Sequence, residues 1–199
     1  MTLILSALLF SLSSNLDNVV VGMAYGIKKI KIGIIENIII AVITSTGTFL
    51  SMSIGEYISK FLPHFVSNAL GAGAIIILGV YFVIQSVIKL IYNTKSKELA
   101  DMIEYAEKSD LDSSGDINMK EALLVALGLT FNNLGTGVAA SITGVSIQFT
   151  VIATFIVSIV TIIFGEALGN HVLGKFLGEY APLISGIMLI ILGIIEFLN

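Results

Sequence analysis

Six apolar runs, each of about 20 residues and so long enough to cross a bilayer as a helix, alternate with short polar stretches along the chain. The spans fall at residues 3–27, 33–55, 68–92, 120–143, 147–168 and 181–198. All six are expected to be helical, because backbone polar groups in lipid must find their partners within the segment.

Polar positions interrupt this pattern in a repeated way. The middle of the first span carries Asn15, Asp17 and Asn18, and the fourth span carries Thr130, Asn132 and Asn133 in the same relative positions. A carboxylate at bilayer depth costs roughly 2.5–3.5 kcal/mol even on the mildest scale, so it normally faces a partner, a cavity or an ion path. The second span has Thr44, Thr48, Ser51 and Gly55 followed by Glu56. The fifth has Thr154, Ser158, Thr161 and Gly165 followed by Glu166, at the same offsets. Ala72 and Gly79 in the third span match Gly186 and Gly193 in the sixth. Three spans per copy make the second copy enter the membrane from the opposite side, the inverted-topology arrangement found in transporters. The predicted architecture is therefore an all-α membrane protein of six transmembrane helices. It consists of two inverted three-helix repeats, residues 1–92 and 120–199, joined by a linker at 93–119.

Composition agrees with this pattern: 56% of the 199 residues are hydrophobic, 12% are charged, and the mean hydropathy is +1.00. Half of the charged side chains lie between Lys95 and Glu121, which leaves the rest of the chain almost free of charge. The first span has no basic residue ahead of it and carries Asp17, so it reads as a membrane helix and not a signal peptide. Arginine and cysteine are absent, so neither disulfides nor thiolate metal sites arise. Nine of the ten lysines lie in or beside loops one, three and five, with only Lys60 in loop two. The positive-inside rule then places both termini outside a plasma-membrane protein. A nucleic-acid partner is not expected; the partners are the lipid bilayer and an ion, and the small residues would also permit a homodimer.

The available donors limit the cargo. Carboxylate, carboxamide and hydroxyl oxygens suit hard cations, whereas soft metals draw on histidine, cysteine or methionine. The expected transport site is Asp17, Asn18, Asn132 and Asn133, with Asn15 and Thr130 beside it. Glu56 and Glu166, with Thr48 and Ser158, are candidate gate residues. His64 and His171 read as ordinary surface residues, Met23 as core packing, and Glu36 and Glu196 as interfacial charges.

The linker holds a second motif, DLDSSGDINMKE. Asp110, Asp112, Ser114, Asn118 and Glu121 fall at the side-chain ligand positions of an EF-hand calcium loop, and Asp116 falls at the backbone-carbonyl position. Gly115 takes the sharp turn and Ile117 the apolar position. The expected cofactor there is Ca2+. Ser96 is placed to cap an incoming helix running to about Lys108, with Leu99, Met102, Ile103 and Ala106 as its apolar stripe.

NLDNVVVGMAYG at 15–26, TFNNLGTGVAAS at 130–141, the two Gly–Glu pairs and the lysine-bearing central loop occur in an order that resembles the manganese efflux pumps of the MntP type. The likeness is closest to their sporulation-associated YtaF branch. This resemblance implies efflux of Mn2+ and no enzymatic activity. It also implies an aspartate in each half-site helix, at Asp17 and at the position where this chain has Asn132. The expected function is export of a divalent cation, Mn2+ by resemblance with Ca2+ also fitting, coupled to protons through Asp17 and regulated by Ca2+ at the loop. The alternative is a non-transporting, calcium-binding membrane scaffold of sporulation. Small-molecule export is disfavoured, because no intramembrane cation is present to hold a carboxylate.

Overall fold

A computed structural model describes residues 2–91, 95–169 and 173–198; the side chains of Thr2, 95–100, Met102, Asn132 and 173–179 fall outside the description. The first span is divided into α1 (Thr2–Ser14) and α2 (Leu16–Lys28). After β1 (Lys31–Ile32) come α3 (Ile34–Ser59) and α4 (His64–Ile91), then α5 (Lys95–Ser109) and β2 (Asp116–Ile117). The second half is α6 (Met119–Ile142), α7 (Ile147–Gly169) and α8 (Leu173–Leu198). Taken together, α1 with α2, α3, α4, α6, α7 and α8 are long and apolar enough to cross a membrane, α6 as a bent pair. The expected spans are thus found, with ends shifted by a few residues and the third beginning at His64.

The helices pack in a reciprocal pattern. Helix α2 lies along α7, α3 along α6, and α4 along α8, while α3 also contacts α7. Small residues make these approaches close. A methyl group on Gly22 would meet the Ile162 carbonyl at 2.6 Å, and one on Gly79 would meet the Gly186 carbonyl at 2.7 Å. Without a hydrophobic force between helices in lipid, such close packing and cross-helix hydrogen bonds hold the bundle together. The lipid-facing surfaces are apolar, as at Ile77, Leu124 and Ile152.

Two buried clusters occupy opposite ends of the bundle. Tyr25, Ile40, Val125 and Ile162 fill the end beneath α5 and β2, and Phe10, Met52, Ile75 and Leu189 fill the other. At the first end β1 and β2 form a parallel pair, with Lys31 opposite Asp116 and the Lys31 N–H on the Gly115 carbonyl at 2.9 Å. The linker loop is thereby fixed to the turn between α2 and α3. Lys28 also pairs with Glu107 of α5. At the other end Glu196, expected at the interface, is buried and accepts a hydrogen bond from Ser6.

Candidate metal transport site and metal loop

The first span breaks at Asn15, whose backbone (φ −111°, ψ 9°) leaves the helical region. Its N–H turns to the Leu12 carbonyl at 3.3 Å, and its side-chain amide donates at 2.7 Å to the Ser11 carbonyl that a continuous helix would have satisfied. The Asn18 amide donates to Asn15 Oδ1 at 2.9 Å and to Ser158 Oγ of α7 at 3.1 Å. Thr44 of α3 donates to the same Ser158 oxygen at 3.4 Å. Asn18 is 1% exposed, yet its Oδ1 has no hydrogen-bond partner. An acceptor left so costs about 1–3 kcal/mol. Asp17 is half-buried and accepts the Asn18 N–H at 2.9 Å.

The second half meets this break directly. Helix α6 bends by 48° between Phe131 and Asn133. The Asn133 amide donates at 2.6 Å to the Ser14 carbonyl, in the last residue of α1. The structure therefore brings Asn15, Asn18, Asp17 and Asn133 around one interruption and adds Ser158 and Thr44 to them. Thr130 bonds the Ala126 carbonyl of its own helix and packs on Gly47 of α3. The side chain of Asn132 lies outside the described residues. Thr48 is turned back to the Thr44 carbonyl at 3.0 Å, so among the expected gate residues it is helix packing and Ser158 belongs to the central cluster.

The two glutamates, equivalent in sequence, stand in different surroundings. Glu166 is half-buried and takes the backbone N–H of Ile32 beside Lys31. Glu56 is exposed, pairs with Lys60 at 3.4 Å and lines a cavity of about 300 Å³ with His64 and Asn68. His64, expected as an ordinary surface residue, is exposed. It stands one helical turn before Asn68, just beyond the Glu56–Lys60 pair.

Local hydrogen bonds shape the linker loop. Asp110 accepts the N–H groups of Ser114 and Gly115 at 3.0 and 2.9 Å, and Asp112 accepts that of Ser114 at 3.1 Å. Ser113 and Gly115 take left-handed backbone (φ 53° and 81°), which costs a glycine little and a serine more. Asn118 caps α6, accepting from Lys120 and Glu121, while Glu121 Oε2 accepts the Asn118 N–H at 2.8 Å in a reciprocal capping box. Glu121, 1% exposed, also accepts the Leu111 N–H at 2.8 Å. One oxygen each from Asp110, Asp112 and Glu121 come within 4.8 Å of one another, a spacing that one hard cation can bridge. Hydrogen bonds from the Ser114 hydroxyl and backbone hold the Asp112 carboxyl below its usual range.

An apolar bundle with lipid-facing surfaces and a buried polar interruption defines a multi-pass membrane protein. The family described as putative manganese efflux pump matches residues 90–197. The chain is 30% identical over 204 residues to the probable sporulation protein YtaF of Bacillus subtilis (strain 168), with 95% of this chain and 97% of that protein covered. The chain belongs to this manganese efflux pump family. No solved structure matches it.

Proposed function

We propose that the protein exports a divalent metal cation across the plasma membrane. Its family points to Mn2+, and the all-oxygen donor set fits Ca2+ as well. The observation that carries this reading is the meeting of the α1–α2 break with the α6 bend, where Asn18 Oδ1 is buried without a partner beside Asp17. Interrupted helices at mid-membrane are how transporters expose carbonyl and side-chain oxygens to an ion. Asp17 supplies the charge and is the group able to exchange the ion for a proton. Asn18, Asn15, Asn133 and Asn132 supply neutral oxygens, with Thr130 behind them.

Two inverted three-helix repeats at 1–92 and 120–199 fit the reciprocal packing, since α2 on α7 and α6 on α3 are the same pair of repeat-related segments with the halves exchanged. In the orientation set by lysine, the loop fixed to β1 is cytosolic and both termini are outside. The loop then holds Ca2+ through Asp110, Asp112, Ser114, Asp116, Asn118 and Glu121. Glu121 precedes Asn132 by about 16 Å along α6, so the loop and the bend share one helix. Unchanged transport in Glu121→Gln protein that no longer binds Ca2+ at the loop would remove the regulatory part of this reading.

The deciding experiment is flux of Mn2+, Ca2+ and Mg2+ into proteoliposomes. One ion is expected to move, and Asp17→Asn is expected to abolish its movement. Two observations favour a second reading, a calcium-binding scaffold of sporulation: the neutral Asn132, and the name of the Bacillus subtilis relative. Folded, inserted protein that moves none of the three ions yet binds Ca2+ at the loop would decide for it.

A further inference from the structure

The cavity at the end of the bundle opposite the metal loop is lined by Glu56, Lys60, His64, Ser67, Asn68 and Ser141, among other residues. Each wall follows from sequence spacing. Glu56 and Lys60 stand one turn apart on α3, and His64 and Asn68 one turn apart on α4, so each pair projects from one helix face. Three of these side chains offer the donors that divalent transition cations use: a carboxylate, an imidazole and the carboxamide oxygen of Asn68. That carboxamide oxygen is shielded from solvent and has no hydrogen-bond partner. The Lys60 ammonium lies 3.4 Å from the Glu56 carboxylate, a resident counter-ion on the strongest of the three donors.

The cavity is separate from the central site. Glu56 lies 12 residues beyond Thr44, about 18 Å along α3, too far for one ion to touch both. Below Glu56 the helices are closed, because Gly55 packs against the Val138 carbonyl and Ser141 Oγ of α6. To one side Ser67 donates to the Ile142 carbonyl at 2.8 Å. An anion would find the Lys60 ammonium but would be opposed by the Glu56 carboxylate. A cation meets the reverse, with one ammonium on a mobile stem that can swing aside.

We propose that this cavity is a second divalent-cation site, held by Glu56, His64 and Asn68, and that Lys60 competes with the cation for Glu56 so that it is held weakly and released. The proposal rests on the transport reading for its place on an exit path, though not for the site itself. The Gly55–Ser141 contact is then the barrier that α3 and α6 must open to pass an ion from the centre to the cavity.

The protein has two histidines, so His171→Asn protein labelled with 15N in histidine gives one imidazole, that of His64. The probe is Cd2+, a diamagnetic dication whose direct ligation moves the imidazole nitrogen resonance, with excess Ca2+ present to occupy the metal loop. A saturable His64 shift is expected, and Asp17→Asn should leave it unchanged. Glu56→Gln should weaken it and Lys60→Ala should tighten it, each by about tenfold, the effect of roughly 1.4 kcal/mol of lost or relieved interaction. A His64 shift that is equally weak in the parent and in Glu56→Gln is the behaviour of a lone surface imidazole and overturns the proposal. Separately, Glu56-dependent binding at His64 in protein that moves no ion would keep the cation site and overturn its place on a path.

Discussion

Gly22 and Gly137 occupy equivalent positions in the sequence repeat, as do Gly165 and Gly55, yet the two helix contacts they build are unlike. On α2 and α7, Gly22, Gly26, Gly165 and Gly169 meet backbone to backbone over two turns. On α3 and α6, Gly137 meets the Ser51 hydroxyl, and Gly55 meets the Ser141 hydroxyl and the Val138 carbonyl. The all-glycine contact lies at the end where the linker loop docks, and Glu166 there is half-buried on the Ile32 N–H. The glycine–hydroxyl contact lies at the end with the cavity, and Glu56 there is exposed and paired with Lys60. One repeated sequence thus gives a contact made by backbone alone at one end and, beside the cavity, a contact made in part through hydroxyls at the other. The difference comes from Gly26 and Gly169 on one side, where the repeat positions on the other hold Ser141 and Ser59. Backbone cannot rotate out of the way, whereas a serine hydroxyl can.

The largest test of this contrast is Gly22→Ala. The added methyl would meet the Ile162 carbonyl at 2.6 Å, the Glu166 N–H nitrogen at 3.1 Å and Gly165 Cα at 3.2 Å, all backbone. Overpacking of this kind costs about 1–3 kcal/mol, and thermal unfolding in detergent should fall accordingly. A melting temperature equal to that of the parent would mean that α2 and α7 are not locked as described. Next in size is Glu121→Ala at the loop. It removes one half of a capping box and the acceptor of the Leu111 N–H, at a cost of about 1 kcal/mol. Hydrogen exchange should speed up at Leu111 and Asn118 and leave the cavity end unchanged.

Much of the bundle could be read from the sequence, because each span is long, apolar and separated by charge or turn residues. The polar cluster was also readable in part. Asn15, Asp17, Asn18 and Asn133 do converge, since a carboxylate and amides at that depth must face inward. The participation of Ser158 and Thr44 was not readable, because hydroxyls on a membrane helix serve equally well as packing, as Thr48 does. The pairing of Lys31–Ile32 with Asp116–Ile117 was hidden for a different reason: two residues carry no strand periodicity, and their partner is fixed only when α5 docks on α2.

Gly137→Ala is the counterpart of the first substitution and should do far less. Its methyl would press on Ser51 Oγ and lie 3.1 Å from Ser51 Cβ, and the hydroxyl can turn to another rotamer. Alanine also gains up to about 1 kcal/mol of helix propensity over glycine, so the net change should lie within about 1 kcal/mol of zero. A fall as large as that of Gly22→Ala would show that the two contacts are equally rigid and would undo the contrast.

The smallest effect concerns pH at the loop end. At the loop end the Asp112 carboxyl is held below the ordinary carboxylate range by the Ser114 hydroxyl and then the Ser114 N–H. A carboxyl lowered on folding contributes stability that is present above its unfolded value and lost only as pH falls through the lower folded one. Burial of Tyr105, only partly offset by a hydrogen bond from Ser109, raises its hydroxyl. The contribution of Tyr105 is therefore complete below the ordinary tyrosine value and fades only in strong base. Neither group changes charge between about pH 5.5 and 7.5. Calorimetric Ca2+ affinity at the loop should stay flat, because Asp112 and Tyr105 keep their charge states throughout. A loop affinity that fell across this range would mean that a group other than Asp112 and Tyr105 takes up protons at the loop, and would undo this account of it.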